Sequence, residues 1–481
     1  MSTSPLMRSI SGVRGIFGES LTLPIVSAHI TAFYETICED LSKKELKIIV
    51  GRDSRISGPQ VLDRTLQILV NLGAIITEIG IVPTPTVQLE VINSSSDCGI
   101  VITSSHNPKE WNGLKFVDSQ GLFLGVDLCK KLYTKADHFL QNKEEQEEEE
   151  EKNEELDEEK KKQITIDKEA GKRHINSILE LPYIDIESIK KKGYCVCIDT
   201  INGAGGRVLP ELLRSLGVAK VVELNTQMTG VFAHSPEPIP ENLNGICETV
   251  VSKSCDFGIA VDPDADRCVL IGPDGKPLGE EYTLAIAVYF MLEKVGRRGP
   301  VCKNLSSSRA IDDIAKQYSN CPVYSTRIGE MHVASKMIQE NAVIGGEGNG
   351  GVMLPDLHIG RDSLVATALV IQCLASENCT LNELKKKLPQ YQIEKLKVHV
   401  TGIDFEAIKN YYIQKLNKES GVTFDFADGI KIDHPDWWCH LRKSNTEPVI
   451  RVIGESSNTK ETSLQMCQRF MKDIKEFNQK N

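Results

Sequence analysis

Residues 99–115 read GIVITSSHNPKEWNGLK. The apolar run Ile100, Val101 and Ile102 has the composition of a buried strand. It stops abruptly at Thr103, Ser104, Ser105, His106 and Asn107, and Pro108 keeps a helix from following. Parallel α/β sheets present their chemistry at such strand ends. A plain Ser/Asn/Pro turn reads the same in isolation, so the rest of the chain has to decide.

On either side of this stretch, strand and helix patterns alternate. Pro24–Leu41 reads as a helix and Leu46–Val50 as a strand ending in Gly51-Arg52-Asp53-Ser54-Arg55. Helical Gln60–Leu72, strand Ile75–Ile79 and a Pro83–Pro85 turn follow. Downstream, Tyr194–Asp199, Lys220–Leu224 and Phe257–Val261 read as strands of a second unit, with a helix over Arg207–Leu216. A third unit holds helical Tyr282–Val295 and strands Val323–Ser325 and Ala342–Ile344. This alternation predicts mostly parallel α/β sheets. From about Ile393 the pattern changes to a smaller α+β segment that includes strand Val449–Ile453.

The 481 residues exceed what one core accommodates and divide at roughly 100–150 residues per domain. The expected segments are 1–142, an acidic linker at 143–170, 171–278, 279–390 and 391–481. Within the linker, residues 143–162 carry twelve acids against five lysines, too polar to bury a core. A net charge of −11 argues against nucleic-acid binding, and no apolar run approaches the roughly 20 residues of a membrane span. The N-terminus lacks an apolar signal region, which points to a cytoplasmic protein. The 14 cysteines include no CxxC pair, which argues against a zinc site and for free core thiols.

Three further stretches give Ser105 a context. Asp262, Asp264 and Asp266 alternate after a strand, and period-two spacing predicts all three carboxylates on one face. Such a cluster calls for a hard divalent cation such as Mg²⁺. An EF-hand is excluded, because Arg267 and Pro273 stand where that loop needs glycine and glutamate. Arg442-Lys443-Ser444-Asn445-Thr446-Glu447-Pro448 offers guanidinium, hydroxyl, amide and backbone donors for a phosphate, with Arg451 as a second guanidinium. Gly346–Gly351 matches G-x-G-x-x-G, yet Val352-Met353-Leu354-Pro355 opens no helix, so a dinucleotide site is disfavoured. Glu347 and Asn349 suit sugar hydroxyls instead. A serine beside a metal, a sugar loop and a remote phosphate clamp describe phosphoryl transfer on a phosphosugar.

In these motifs the chain resembles the α-D-phosphohexomutases. TSSHNP is similar to that family's phosphoserine loop, DPDADR to its metal loop, GEGNGG to its sugar loop and RKSNTEP to its phosphate loop, in the family's order. The resemblance spans about Arg8 to Val452, with the acidic stretch outside it. It implies three related α/β domains with mixed, mostly parallel sheets and a smaller α+β C-terminal domain around a central cleft. Ser105 would carry the phosphoryl group and would join Asp262, Asp264 and Asp266 in holding Mg²⁺. Arg267 would neutralise the transferred group, Lys115 would act as general acid/base, His106 would support the serine loop, and Arg14 matches a family arginine. Glu347 and Asn349 would read sugar hydroxyls, while Arg442, Ser444, Asn445 and Thr446 would hold the nonreacting phosphate. Glu330 stands where some members carry a second acid/base histidine, and His332 lies two residues on.

The implied reaction interconverts hexose 6- and 1-phosphates through a 1,6-bisphosphate, which also serves as activator. The form of the sugar loop leans toward glucosamine phosphate, with a broad phosphoglucomutase/phosphomannomutase as the alternative. A phosphatase and an inactive binding scaffold remain the other classes. The expected partner is a small phosphosugar, with neither nucleic acid nor membrane, and the expected state a monomer or homodimer.

Overall fold

The computed structural model describes residues 5–142, 161–400, 402, 404–443, 449–457 and 461–480. Strands are numbered in chain order. In the first unit they are β1 Met7–Ser9, β2 Gly12–Ile16, β3 Lys47–Arg52, β4 Ile75–Ile81, β5 Cys98–Ile102, β6 Trp111–Val117 and β7 Ile164–Ile166. They form one sheet in the order β1-β2-β6-β5-β3-β4-β7. β5, β3, β4 and β7 run parallel, whereas β6 returns antiparallel to β5 and carries β2 and β1. The acidic residues 143–160 lie outside the described residues. Part of the stretch expected to be linker nonetheless belongs to this sheet, since Ile76, Thr77 and Glu78 pair with β7.

Two smaller sheets follow. The second unit has β8 Cys195–Asp199, β9 Lys220–Leu224, β10 Phe257–Val261 and β11 Cys268–Ile271, in the order β11-β10-β8-β9. The third has β12 Val301–Asn304, β13 Val323–Thr326, β14 Ile344–Glu347 and β15 Gly351–Met353, in the order β13-β12-β14-β15. In both, the pairings around the central strand are parallel and one edge strand is antiparallel. This is the expected mixed, mostly parallel architecture. The helix over Tyr282–Val295 is an α-helix at Glu281–Tyr289 continued by one π-helical turn, Phe290–Lys294.

Helices Glu281–Tyr289 and Ser363–Glu377 are apolar on every side, and each is buried along almost its whole length. That pattern fits a helix enclosed by protein rather than one covering a surface. They knit the second and third units into one continuous hydrophobic core, while the first and last units have their own. Among the described residues no single helix is long and apolar enough to cross a membrane. All fourteen cysteines are free, most of them buried.

The C-terminal unit is an antiparallel sheet of β16 Gln392–His399, β17 Thr423–Asp425, β18 Ile430–His434, β19 Trp437–Lys443 and β20 Val449–Ser456, ordered β16-β20-β19-β18-β17. Helix Ser463–Lys480 packs on β16 and β20. The other face, which carries His440 and Glu455 beside buried Trp438, turns toward the third unit. There His440 Nδ1 lies 2.8 Å from Ser306 Oγ, and Arg309 Nη2 donates to the carbonyls of His434 at 2.9 Å and Trp437 at 3.2 Å.

The first three units meet at a buried polar bolt. His174 Nε2 lies 2.8 Å and His358 Nε2 3.2 Å from Asp362 Oδ2, and Thr86 Oγ1 lies 2.9 Å from His174 Nδ1. The second oxygen of Asp362 caps helix Ser363–Glu377 through Leu364 N and Val365 N. Burial in that arrangement opposes the charge of Asp362, but the two histidines outweigh it and hold the carboxyl well below the usual range.

Glu281 illustrates the opposite balance. Its Oε2 accepts from Ser308 N at 2.8 Å, its Oε1 has no hydrogen bond and only the Lys395 ammonium at 3.8 Å, and burial outweighs that charge and pushes the carboxyl up to about 8. Between the ordinary carboxylate pKa of about 4.3 and that value, the unfolded chain ionises while the folded one keeps its proton. Folding stability therefore falls as pH rises through this window, by about 1.4 kcal/mol for each pH interval of one across it. Glu281→Gln keeps the acceptor without the ionisation. Urea midpoints at about pH 5 and pH 8 should converge for the variant and diverge for the parent protein; an equal pH response in both would refute the assignment.

Candidate active site

The β5–β6 hairpin presents Ser105 on a turn rather than on an open strand end. Ser105 adopts the left-handed conformation, φ 50°, uncommon outside glycine. Its N–H donates to Thr103 Oγ1 at 2.9 Å, and the Thr103 hydroxyl donates to Asp53 Oδ2 at 2.6 Å. Ser105 Oγ then lies 3.3 Å from Asp262 Oδ2 and 3.4 Å from His106 Nδ1. Arg267 Nη2 donates to His106 Nδ1 at 3.0 Å, and the Arg267 charge followed by burial keeps that imidazole neutral, its pKa well below the usual value. Arg14 joins the loop through Asn107 Oδ1 at 3.2 Å.

The three aspartates do converge, but not by strand alternation. β10 ends at Val261, and Asp262–Arg267 form the turn into antiparallel β11. Ala265 takes φ 50°, and the N–H groups of Asp266 and Arg267 fold back onto Asp262 Oδ1 at 3.2 and 3.3 Å. A turn closed on its first carboxylate gathers the acids, where an extended strand would have spaced them apart.

All three carboxylates are buried, with oxygens within 4.8 Å of one another. Lys115 Nζ lies 2.7 Å from Asp264 Oδ2 and 3.3 Å from Asp266 Oδ2, and Thr84 Oγ1 donates to Asp264 Oδ2 at 2.6 Å. Burial disfavours the Lys115 ammonium, but these two carboxylates outweigh it and hold its pKa above the usual value. Asp262 is pushed well above the usual carboxylate range by burial, then by Asp266 and Asp264. Two buried oxygens, Asp264 Oδ1 and Asp266 Oδ1, have no hydrogen-bond partner. Crowded hard oxygen donors with unused lone pairs fit a divalent cation such as Mg²⁺.

The sugar-loop candidate is a hairpin turn between β14 and β15 and opens no helix. A Cβ on Gly348 would come 2.0 Å from the Glu281 carboxylate, so this close approach requires glycine. Glu347 is buried and already engaged: Oε1 accepts from Asn304 Nδ2 at 2.8 Å and Gly329 N at 3.0 Å, and Oε2 from Arg361 Nη1 at 3.0 Å. Asn349 is half-buried and turns its Oδ1 to Gly351 N at 3.3 Å. Arg361 also donates to Asp266 Oδ2 at 2.6 Å and Glu330 Oε2 at 3.0 Å, tying the metal loop to the sugar loop. Burial raises the pKa of the enclosed Glu330 carboxyl, whereas half-buried His332 is lowered by burial and then by Arg327.

In the clamp, Ser444, Asn445 and Thr446 lie outside the described residues. Arg442 and Arg451 are direct cross-strand partners, and Lys397 is the partner of Arg451 on its other side. Like charges opposite one another make this face cationic, with Asp428 Oδ1 accepting from Arg442 Nε at 3.0 Å.

Lys397, Arg361 and Arg55 have no place in the motif reading. A signal for two of these sites was present, since Gly-Arg-Asp-Ser occurs twice, at 51–54 and 360–363. The first copy supplies Asp53 beneath the serine loop, and the second supplies Arg361 and Asp362.

Sequence profiles of all four phosphoglucomutase/phosphomannomutase domains match in order: alpha/beta/alpha domain I over residues 7–143, II over 172–275, III over 279–391 and the C-terminal domain over 378–472. A phosphoglucomutase/phosphomannomutase of Thermococcus kodakarensis is 36% identical over 93% of this chain and 94% of its own length. A phosphoglucosamine/phosphogalactosamine mutase of Sulfurisphaera tokodaii is 32% identical over 93% and 94%. The fold is shared with a putative phosphomannomutase from Thermus thermophilus, TM-score 0.79 at 20% identity over 99% of both chains. It is shared more distantly with an Aspergillus fumigatus N-acetylphosphoglucosamine mutase in complex with GlcNAc-6P and magnesium, TM-score 0.54 at 15% identity over 82% of this chain and 92% of that one.

The aspartate cluster makes a direct prediction. Mn²⁺, followed by its electron spin resonance as a stand-in for Mg²⁺, should bind the parent protein, and Asp264→Asn should weaken that binding by about tenfold or more. Equal binding by the two proteins would remove the cluster as the cation site.

Proposed function

The chain belongs to the phosphoglucomutase/phosphomannomutase family, the α-D-phosphohexomutases, and we propose that it moves a phosphoryl group between O6 and O1 of a hexose through phosphorylated Ser105. The observation that carries this reading is the 3.3 Å approach of Ser105 Oγ to Asp262 Oδ2, which brings a hydroxyl of the first domain onto the carboxylate cluster of the second. The cationic row of Arg442, Arg451 and Lys397 supports a second, distant anion site on the C-terminal domain.

In the forward half-reaction the Oγ–P bond of phosphoserine breaks as phosphorus bonds to the free hydroxyl of the hexose monophosphate. That hydroxyl gives up its proton, Ser105 Oγ takes one back, and the bisphosphate forms without net proton change. The bisphosphate turns over in the cleft and returns its other phosphoryl group to Ser105. Lys115 and neutral His332 are assigned the proton traffic, since Glu330 is committed to Arg361. Arg267 contributes fixed positive charge beside the serine, oriented by His106. Mg²⁺ held by Asp262, Asp264 and Asp266 would supply further charge to the phosphoryl oxygens and relieve Lys115 of its counter-charges. Asn349 and Glu347 border the sugar, with Glu347 acting through the loop shape its hydrogen bonds maintain. Arg442 and Arg451, with Ser444, Asn445 and Thr446, hold the nonreacting phosphate.

Glucose and mannose phosphates are the preferred substrates in this reading, supported by the 36% identical relative that bears both names. The glucosamine reading stands second, favoured by the sugar-loop form and the 32% identical relative. Turnover with Mg²⁺ and a trace of hexose 1,6-bisphosphate on glucose 1-phosphate, mannose 1-phosphate and glucosamine 6-phosphate tests both. Comparable rates on the first two, with glucosamine slower by about a hundredfold (roughly 3 kcal/mol), are expected. The reverse order establishes the aminosugar enzyme. Ser105→Ala should abolish mutase turnover, and full turnover in that variant would overturn the phosphoserine mechanism.

A further inference from the structure

Arg55 is fully buried and stands outside every motif that defines the family resemblance. All five of its guanidinium N–H groups are used. Nε donates to Asp53 Oδ2 at 3.0 Å, Nη1 to the carbonyls of Pro108 at 2.6 Å and Trp111 at 2.8 Å, and Nη2 to those of Ser105 at 2.6 Å and Asn107 at 2.7 Å. Three of the five acceptors are backbone oxygens of the turn that carries Ser105, and a fourth, that of Trp111, opens β6. Inside the turn Trp111 N also donates to the Pro108 carbonyl at 3.0 Å and Asn107 N to that of Ser104 at 3.1 Å, and one rigid fork adds bonds that tie the remaining carbonyls together.

The same side chain faces the second domain. Its Cζ sits 5.1 Å from the centre of the Phe232 ring. Beside it, Ser54 Oγ donates to the Asn202 carbonyl at 2.7 Å, and Gly230, φ 70°, lies so close that a Cβ would come 2.1 Å from the Ser54 oxygen. Ile201 and Asn202 both adopt left-handed backbone, φ 50° and 58°, in the loop that makes this contact. A β-branched residue in that region is strained and persists only where its surroundings dictate it.

We propose that Arg55 is a positioning residue that templates the left-handed turn at Ser105, and that Phe232 closes over it so that the serine is aligned only when the metal-bearing domain is seated. This rests on the assignment of Ser105 as the phosphoryl carrier. The guanidinium is engaged by Asp53 and four backbone carbonyls and acts through the backbone of the nucleophile. Because the second domain supplies both Phe232 and Asp262, one docking event sets the hydroxyl and the acid cluster it faces.

The test uses the full chain carrying Arg55→Lys, Arg55→Ala and Phe232→Leu. Arg55→Lys keeps the charge but has no planar fork and three donors instead of five, so kcat should fall by about a hundredfold with KM little changed. Added guanidinium ion should restore turnover to Arg55→Ala but not to Arg55→Lys, a rescue that a merely structural role would not give. Phe232→Leu, on the half-buried domain seam, should lower kcat several-fold without loss of thermal stability. Tryptic cleavage after Lys109, inside the turn, reads the same loop without any activity and should be faster in Arg55→Lys. Parental kcat and parental cleavage in Arg55→Lys would overturn the proposal, as would a folded Arg55→Ala that guanidinium does not revive. Parental kcat in Phe232→Leu would overturn the domain coupling. Absence of mutase turnover in the parent protein would instead sink the phosphoserine reading, while the cleavage comparison would still decide whether Arg55 shapes the turn.

Discussion

Three carboxylates without water are the constraint around which the protein is arranged. Asp262, Asp264 and Asp266 are each buried, and none could remain so without counter-charge. The second domain that supplies them also supplies Arg267, at 3.7 Å from Asp266 and 3.8 Å from Asp262, but the closer partners are foreign. Lys115 reaches across from the first domain and Arg361 from the third. The acid cluster therefore does more than offer donors to a cation. It makes separate folding units electrostatically incomplete until they are brought together, and it does so at the point where Ser105 meets them.

Most of the architecture was legible because hydrophobic periodicity is local. The alternation of strands and helices, the change to an α+β tail and the helix at Leu23–Leu41 with proline in its first turn are properties of short windows. What escaped detection depends on distant partners. β12 reads as only Val301 and Cys302 followed by Lys303 and Asn304, yet it is the central strand of its sheet, because those two polar residues are buried by contacts made elsewhere. β6 was hidden by Asn112, Gly113 and Lys115, the last buried only by virtue of the aspartates opposite. Among site residues, the motifs named Ser105 and the three aspartates, which the fold brings together, although the acids gather through a turn and not through the period-two spacing expected of them. The hydrogen bonds that engage Glu347 and Glu330 could not be read from spacing, because Arg361 lies 14 and 31 positions away in sequence.

Arginine recurs wherever two parts have to be held at a fixed angle. Arg55 spans the serine turn, Arg361 spans the metal and sugar loops, and Arg309 reaches the β18–β19 hairpin through the carbonyls of His434, Pro435 and Trp437. In each case a planar fork with fixed donor directions meets several acceptors at once, a geometry a lysine cannot reproduce. The polar bolt of Thr86, His174, His358 and Asp362 does the same for the first three domains with shorter side chains. Rigidity at these seams is specified by directional bonds, while the apolar cores on either side supply the bulk of the burial.

Those cores do not follow the division into four sequence domains. The second and third share one continuous core, whereas the cluster of the C-terminal unit is confined to residues 398–474. The second and third domains share their packing, and the C-terminal unit is attached through hydrogen bonds that include His440 to Ser306, Arg327 to Ala427, Ile328 N to Asp428, Arg309 to its hairpin and to Glu455, and Lys395 to Gly348. Parting this seam would let water take over the bonds that are lost, but it would also uncover Trp438, buried on the same face of β19 as His440. The tail stands apart from the buried aspartates, lysine and arginine that hold the other three units in register, and it meets the third unit through bonds of its own.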